Sequence, residues 1–185
     1  METYVISDHH FGHSNALTFK KADGSPLREF SCSEEMDEHM VEQHNKVVRP
    51  NDKCIFLGDL VINKKFLPIL NRLNGKKRLV FGNHDIFGYQ EYSKYFYEMS
   101  GYRVFDRCIF SHIPVHRESI GRFAANIQGH LHSNVVLDNN GVPDINYICM
   151  CVEQPHVNYT PVPWYRVKEI LKERGVNFEK ATDKQ

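Results

Sequence analysis

Three short apolar segments in the first half of the chain each run directly into a group of Asp, Asn or His residues. These segments, residues 3–7, 53–57 and 77–81, have the length and composition of buried β-strands. Helix-like segments separate them: one begins near Ser33, a suitable N-cap residue, and another spans residues 64–73. This alternation of strands and helices predicts an α/β core with parallel strands.

The second half of the chain has a different pattern. A short aromatic helix is predicted at residues 90–99 and a closing helix at residues 163–173. Between them, turn residues separate five short segments of strand-like composition. These predicted strands are residues 103–105, 108–111, 125–128, 135–137 and 145–152. The whole pattern predicts two packed sheets with helices on their outer faces.

Length and composition limit the function classes. The 185 residues suffice for one domain with a sizeable core, and Lys plus Arg balance Asp plus Glu at 23 each, which argues against a broad nucleic-acid or membrane face. No run approaches the ~18 apolar residues of a membrane span, and we expect no secretory signal. The five cysteines are expected to be reduced thiols of a cytoplasmic protein. Cys149 and Cys151 could form half of a metal site, but no second pair accompanies them.

The chemically versatile residues lie where predicted strands end. They form the groups Asp8-His9-His10-Phe11-Gly12-His13, Gly58-Asp59, Gly82-Asn83-His84-Asp85, Ser111-His112 and Gly129-His130-Leu131-His132. Ligands of α/β sheets gather at the carboxyl ends of strands, so we expect these loops to converge on one crevice. Five such ends carrying Asp, Asn and His indicate a metal cluster rather than unrelated surface groups.

The spacing within the groups suits metal ligation. Asp8 and His10 are two residues apart, as are His130 and His132, so each pair can point the same way from a strand end. Mixed imidazole and carboxylate ligands favour Mn, Fe, Zn, Ni or Co over calcium. The candidate ligands are too many for one transition-metal ion and suit two ions that share a carboxylate. Two ions about 3.5–4 Å apart are a recurring device for in-line displacement at phosphorus.

In this order the motifs resemble those of the calcineurin-like metallophosphoesterase family. The resemblance covers the whole series from Asp8 to His132. Residues 7–13 and 159–162 are also similar to segments of small bacterial and phage members of that family. The resemblance implies a single domain over residues 1–185 with the fold of a four-layer αββα sandwich, an α/β fold in which helices flank two mixed sheets.

The resemblance also implies two divalent transition-metal ions. Manganese is the expected metal, with Ni, Fe, Zn and Co as alternatives. The first ion would be held by Asp8, His10 and His132. The second would be held by Asn83, His112 and His130, with Asp59 bridging both ions. A water or hydroxide shared by the ions would attack phosphorus in line.

The remaining roles concern the leaving group and the substrate. By resemblance, His84 would protonate the leaving oxygen or stabilise charge at the phosphoryl group, and Asp85 would orient the His84 imidazole. His13 follows the first motif closely and is a candidate substrate contact. Arg117 and Arg122 lie in a predicted loop between two motif histidines, where either could clamp a phosphate.

The hypothesis that follows is a metal-dependent phosphohydrolase acting on a small phosphodiester, in particular a nucleotide-derived one. A short chain without a capping segment predicts an open site. The alternatives are a phosphomonoesterase or protein phosphatase, a nuclease, and a non-catalytic metal-binding scaffold of the same fold. The balanced charge predicts no stable nucleic-acid partner and no membrane partner, while the oligomeric state and the physiological substrate stay open.

Overall fold

The computed structural model describes residues 1–178. Its strands, in chain order, are β1 (Thr3–Ile6), β2 (Lys53–Phe56), β3 (Lys76–Val80), β4 (Glu98–Ser100), β5 (Tyr102–Phe105), β6 (Cys108–Ser111), β7 (Ala125–Gln128), β8 (Tyr147–Cys149) and β9 (Val162–Pro163). The α-helices are α1 (Ser33–Val47), α2 (Tyr89–Tyr92), α3 (Arg117–Ile120) and α4 (Trp164–Glu173), and 3₁₀ helices span Ser14–Thr18 and Lys64–Arg72.

The strands form two mixed sheets. Sheet 1 has the order β4-β3-β2-β1-β9, in which β1 to β4 are parallel and β9 is antiparallel to β1. Sheet 2 has the order β5-β6-β7-β8, with only the β5–β6 pair antiparallel. This arrangement of two mixed sheets with helices confirms the predicted α/β fold class.

Strands β1 and β2 form the buried centre of sheet 1. Val5, Ile6, Ile55 and Phe56 are all fully buried, and burying a side chain of this size stabilises the fold by about 1.5–3 kcal/mol. The register pairs Val5 with Ile55 and Ile6 with Phe56. Both strands therefore end at the same level, and the loops that follow them lie side by side.

Helix α1 covers the core with residues spaced at i, i+4 and i+8. Met36, Met40 and His44 are buried on one face. The N-cap is Cys32, whose Sγ accepts a hydrogen bond from the amide of Glu35. Ser33, the predicted N-cap, is instead the first residue of the helix.

Several predicted elements differ from the observed ones in extent or in the kind of helix. Residues 90–99 do not form one helix, because the helical turn of α2 ends at Tyr92 and β4 then adds an edge strand to sheet 1. The helical segment predicted at residues 64–73 is a 3₁₀ helix over Lys64–Arg72, with Pro68, which lacks an amide donor, in its middle. Residues 135–137 form no named strand and contribute only a bridge between Leu137 and Pro143. Within residues 1–178, no helix combines the length and apolar character needed to span a bilayer.

Candidate active site

The loops after β1 and β2 are joined by backbone hydrogen bonds. The Asp8 amide donates to the Gly58 carbonyl at 3.1 Å, and the His10 amide donates to the Asp59 carbonyl at 3.0 Å. The loops after β3, β6 and β7 meet this pair at the same end of the two sheets. The strand-end residues predicted from the sequence are thereby brought together.

A first group of possible metal ligands consists of Asp8, His10 and His132. Their candidate ligand atoms lie within 4.8 Å of one another. Asp8 Oδ1 is 3.7 Å from His10 Nε2 and 3.8 Å from His132 Nε2. The two imidazoles stack with their centroids 5.2 Å apart. One carboxylate oxygen and two ring nitrogens therefore face a common point.

A second group consists of Asp59, His112 and His130, again with ligand atoms within 4.8 Å. His112 Nε2 is 3.3 Å from Asp59 Oδ2 and 2.9 Å from Asn83 Oδ1. Its other ring nitrogen, Nδ1, is 2.7 Å from the Leu57 carbonyl oxygen. Donation to that carbonyl fixes the tautomer that leaves Nε2 free to bind a cation.

The two groups adjoin at Asp59. His10 Nε2, from the first group, lies 3.9 Å from Asp59 Oδ2, which also faces His112 of the second group. A carboxylate in this position can be shared by two ions. The arrangement agrees with a binuclear centre rather than with two independent sites.

Three buried polar atoms of the first group have no hydrogen-bond partner among the described residues. Asp8 Oδ2 accepts from Ser7 Oγ, from the His130 amide at 2.9 Å and from Cys151 Sγ at 3.1 Å. In contrast, Asp8 Oδ1 and both ring nitrogens of His10 are buried and unpaired. A buried unpaired polar group typically costs about 1–3 kcal/mol. A cation facing Asp8 Oδ1 and His10 Nε2 would satisfy two of these three atoms, so the residues present fit a metal ion.

The backbone of the candidate ligands is unusual. Asp8, His10, Asp59, His130 and His132 all have positive φ, between 51° and 69°. Residues with side chains rarely adopt this left-handed conformation, and it costs of order 1–3 kcal/mol at each position. Strain at five candidate ligands indicates that the loops are shaped for function rather than for stability.

The carboxylates and imidazoles of the site perturb one another strongly. Burial alone would raise the pKa of Asp8, but the neighbouring imidazoles of His10, His112 and His132 hold the pKa of that carboxyl well below its usual range. Burial lowers the pKa of His112, yet the hydrogen bond to Asp59 and the charges of Asp8 and Asp59 raise it to about 9. The buried carboxylates therefore favour positive charge at His112.

Two supporting residues were not found from the sequence. Glu153 Oε1 accepts a hydrogen bond from His132 Nδ1 at 2.9 Å, and the buried guanidinium of Arg28 donates its Nε to the same oxygen at 2.7 Å. Arg28 also donates to the backbone carbonyls of Asp8 and His9, each at 2.6 Å. Glu153 follows a predicted strand, so the rule that found the other residues applies to it as well. Arg28 has no such signal.

Asp85 has a different role from the predicted one. Its carboxylate accepts hydrogen bonds from the amides of Gly82 and Asp59, both at 2.8 Å, and from the amide of Leu60 at 3.2 Å. With its oxygens used in this way, Asp85 ties the β2 and β3 loops together instead of orienting the His84 ring. The prediction for Asp85 is corrected accordingly.

His84 and His13 both lie beside the first group. The exposed His84 has its ring centroid 5.7 Å from that of His10, and its amide donates to Asp59 Oδ1 at 2.8 Å. The His13 ring is 5.8 Å from the His10 ring. Burial lowers the pKa of His13, which favours the neutral form of its ring. Both predicted positions therefore border the possible metal site.

The two predicted arginines are placed differently. Arg117 forms an ion pair with Asp144 and donates to the Leu137 carbonyl, so its guanidinium is already engaged. The prediction that Arg117 clamps a substrate phosphate is therefore not supported. Arg122, in contrast, lines a cleft of about 720 Å³ that Asn83 and His112 also line.

Two mixed sheets and two adjoining ligand groups at the strand ends define the class of metal-dependent phosphoesterases. The calcineurin-like phosphoesterase family matches residues 1–183, and the chain belongs to this family. An uncharacterized protein of Methanocaldococcus jannaschii, MJ1445, is 33% identical over an alignment of 179 residues, and the match covers 94% of this chain and 93% of that protein. The crystal structure of the Aquifex aeolicus protein of unknown function AQ665 superposes with a TM-score of 0.68 at 23% identity, over 91% of this chain and 98% of that one. The second likeness shows a shared fold.

Proposed function

We propose that this metal-dependent phosphoesterase is a phosphodiesterase that acts on a small, nucleotide-derived diester. The observation that carries the proposal is the position of Asp59 Oδ2 between His10 of one ligand group and His112 of the other. In this assignment Asp8, His10 and His132 hold one ion and Asn83, His112 and His130 the other, with Asp59 shared. When bound, the two cations supply positive charge that lowers the pKa of water and neutralises the phosphate.

His84 is proposed as the proton donor to the leaving oxygen. It is exposed, it borders His10, and its backbone amide is held by Asp59 Oδ1, which fixes the loop on which its side chain is carried. A general acid at this position assists departure of a poor leaving group. His13, on the other side of His10, is proposed as a contact to the substrate.

A diester is favoured over a monoester by the charge near the site. A phosphomonoester dianion benefits from further cationic side chains, whereas the cleft beside Asn83 and His112 contains one arginine, Arg122, among mostly apolar residues. Apolar surface suits the second ester group of a diester. The open position of His84 also allows varied leaving groups.

Manganese is the proposed metal because the ligand set combines imidazole, carboxylate and one amide oxygen. We further propose that residues 1–185 form a single domain that works in the cytoplasm without a stable nucleic-acid partner. The neutral overall balance of 23 basic and 23 acidic residues supports the last point.

Reconstitution with defined metals tests the proposal. The protein is stripped with a chelator, reloaded separately with Mn, Ni, Zn or Mg, and assayed with bis-p-nitrophenyl phosphate and p-nitrophenyl phosphate. We expect metal-dependent cleavage of the diester well above that of the monoester, greatest with Mn. A preference for the monoester would reassign the protein as a phosphomonoesterase. Two bound ions without turnover of either ester would indicate a metal-binding scaffold.

A further inference from the structure

We propose that the cleft beside the second ligand group binds an aromatic ester group of the substrate, such as a nucleobase, and that Arg122 contacts an additional phosphate on it. This inference rests on the proposed phosphodiesterase function and narrows its substrate class. The cleft has a volume of about 720 Å³, within the range of about 300–1,000 Å³ typical of small-molecule sites. Tyr102, Val104, Ile109 and Ser111 of strands β5 and β6 line it.

The cleft is continuous with the proposed metal centre. Asn83 and His112 belong to its wall, and the side chains of these two residues meet at 2.9 Å in the second ligand group. A group bound in the cleft therefore lies against the position where the phosphate is held. This placement is expected for the ester group of a substrate. A binding site for an unrelated ligand would not need to adjoin the metal centre.

The lining favours a flat apolar group. Phe81, Tyr102 and Phe123 contribute aromatic rings, and Val104 and Ile113 contribute branched aliphatic side chains. Tyr102, Val104 and Ile113 are 67%, 47% and 54% exposed. A contiguous group of exposed large apolar residues is typical of a binding surface, whereas single exposed apolar residues are common everywhere. Aromatic rings bind planar ligands by offset stacking and edge contacts.

Arg122 supplies the charge in this cleft. Its guanidinium carbon lies 5.2 Å from the centroid of the Phe123 ring, and no acidic partner accompanies it among residues 1–178. Arg117, five residues earlier, is engaged by Asp144. A guanidinium without a carboxylate partner, over an aromatic ring and in a ligand-sized cleft, is suited to bind a phosphate. The predicted occupant thus combines an aromatic ring with a second anionic group.

A second copy of the chain is the competing occupant, because β5 is an edge strand of sheet 2. Two features argue against it. A copy seated on Tyr102 and Val104 would cover Asn83 and His112, and it would bury the charge of Arg122 unless it brought a carboxylate. A substrate group with a ring and a phosphate would cover Tyr102 and Val104 and pair with Arg122, and it would leave Asn83 and His112 accessible to the reacting phosphate.

The decisive assay uses esters that share one leaving group. With p-nitrophenolate as the common leaving group, the Mn-loaded protein is given methyl p-nitrophenyl phosphate, thymidine 5′-(p-nitrophenyl phosphate) and the 3′-phosphorylated form of the thymidine ester. We expect kcat/KM to rise at least tenfold from the methyl to the thymidine ester and again with the 3′-phosphate. Tyr102→Ala should reduce the ratio of kcat/KM for the thymidine ester to that for the methyl ester at least fivefold. Arg122→Gln should reduce the ratio for the 3′-phosphorylated ester to that for the thymidine ester.

Two matched variants serve as controls. Tyr165→Ala removes a tyrosine that is 55% exposed on α4, outside the cleft, and Arg117→Gln removes the neighbouring arginine. Both should keep the wild-type ratios. Cleavage of the methyl ester without preference for the thymidine esters would overturn the cleft inference and leave the phosphodiesterase proposal intact.

Binding gives a readout that does not depend on turnover. Calorimetry with thymidine 5′-monophosphate should show binding that is at least fivefold weaker in Tyr102→Ala and unaffected in Tyr165→Ala. Absence of turnover with any ester would refute the proposed function, while this binding result would still support or refute the cleft. A dimer that dissociates on Val104→Lys, with thymidine monophosphate binding equal in wild type and Tyr102→Ala, would show that the cleft is a self-association surface.

Discussion

Glu153 accepts the Nδ1 hydrogen of His132 at 2.9 Å with the same oxygen that Arg28 contacts at 2.7 Å. Burial lowers the pKa of His132, but the hydrogen bond to Glu153 and its charge outweigh this and raise it. A carboxylate behind an imidazole fixes its tautomer and makes the opposite nitrogen a better metal ligand. The affinity of the first proposed metal site is therefore set partly by a residue that touches no metal.

We predict that Glu153→Gln weakens metal binding at the Asp8, His10 and His132 site by about 10- to 100-fold, as other replacements behind metal-ligating histidines do. The second site should change much less, since its His112 is oriented by the Leu57 carbonyl. A two-site Mn titration by calorimetry measures both affinities. Glu169→Gln, at an exposed acid of α4, is the control. Equal weakening of both sites would contradict a specific role for Glu153.

We predict that Arg28→Met lowers the free energy of unfolding by about 3–5 kcal/mol, because removing one member of a buried ion pair leaves the other uncompensated. Arg28 and Glu153 have side chains with 0% and 1% exposure. Urea unfolding in chelator measures the loss, and Arg166→Met, at an arginine of α4 that is 47% exposed, should stay within about 0.5 kcal/mol of wild type.

The double variant Arg28→Met/Glu153→Gln sharpens this test. It should lose clearly less than the sum of the two single variants, because no unpaired buried charge remains. Strict additivity would mean that Arg28 stabilises the loops only through the Asp8 and His9 carbonyls.

The sequence predicted those parts of the site that follow directly from local order. Asp8, Asp59 and His112 each lie within three residues of the end of a strand, so the α/β rule locates them without knowledge of the register. Arg28 could not be found in this way, because its partner Glu153 is 125 positions away and the contact exists only after both sheets have formed. Asp85 was found but misassigned, since its carboxylate bonds to backbone amides that no sequence pattern specifies.

The same limit explains the errors in the fold. Strands β6 and β7 were predicted with their observed bounds because their apolar runs are bounded by turn residues. Residues 90–99 are rich in aromatic side chains that suit a helix or a strand equally. Tyr92 and Phe96 are both buried, and the open edge of β3 recruits Glu98–Ser100 into sheet 1. Tertiary pairing thus overrides a weak local preference.

We predict that Gly82→Ala reduces both metal affinity and activity at least tenfold. A Cβ at this position would lie 2.6 Å from the Asp59 amide nitrogen and would clash with the Asp59 carboxylate oxygen that holds the His84 loop. The shared carboxylate must then move. Gly88→Ala, where a Cβ meets nothing within 4 Å, is the matched control. Metal titration and diester hydrolysis should show normal values for the control.

We predict that His84→Ala keeps the metal but lowers kcat for a diester with a poor leaving group by about 10²–10⁴, the usual contribution of a general acid. The loss should be smaller with p-nitrophenolate, which departs without protonation. Asp59→Ala should lose metal and activity together. Metal content by mass spectrometry and kcat for both ester types distinguish the two variants. Equal losses for good and poor leaving groups would exclude His84 as the proton donor.

His44 is buried on α1 and bonded through Nε2 to the Asn74 carbonyl at 2.9 Å. Burial lowers the pKa of His44 from 6.5 to about 4, with a smaller contribution from Lys77. Between these values the unfolded chain binds more protons than the native protein, so stability rises with pH. The stability that depends on a neutral His44 is fully present above pH 6.5. It declines as the pH falls toward 4, and the total loss in the free energy of unfolding is about 3 kcal/mol.

Replacing His44 with glutamine keeps a donor near Asn74 and removes the titration. Unfolding by urea should therefore be measured in chelator at pH 7.5, 6.0 and 5.0 for both proteins, so that metal release does not contribute. We expect the wild type to lose stability faster than His44→Gln as the pH falls, while His39→Gln on the same helix follows the wild type. Parallel curves for wild type and His44→Gln would show that the imidazole is protonated without cost, which requires that water reaches the buried face of α1 in the native state.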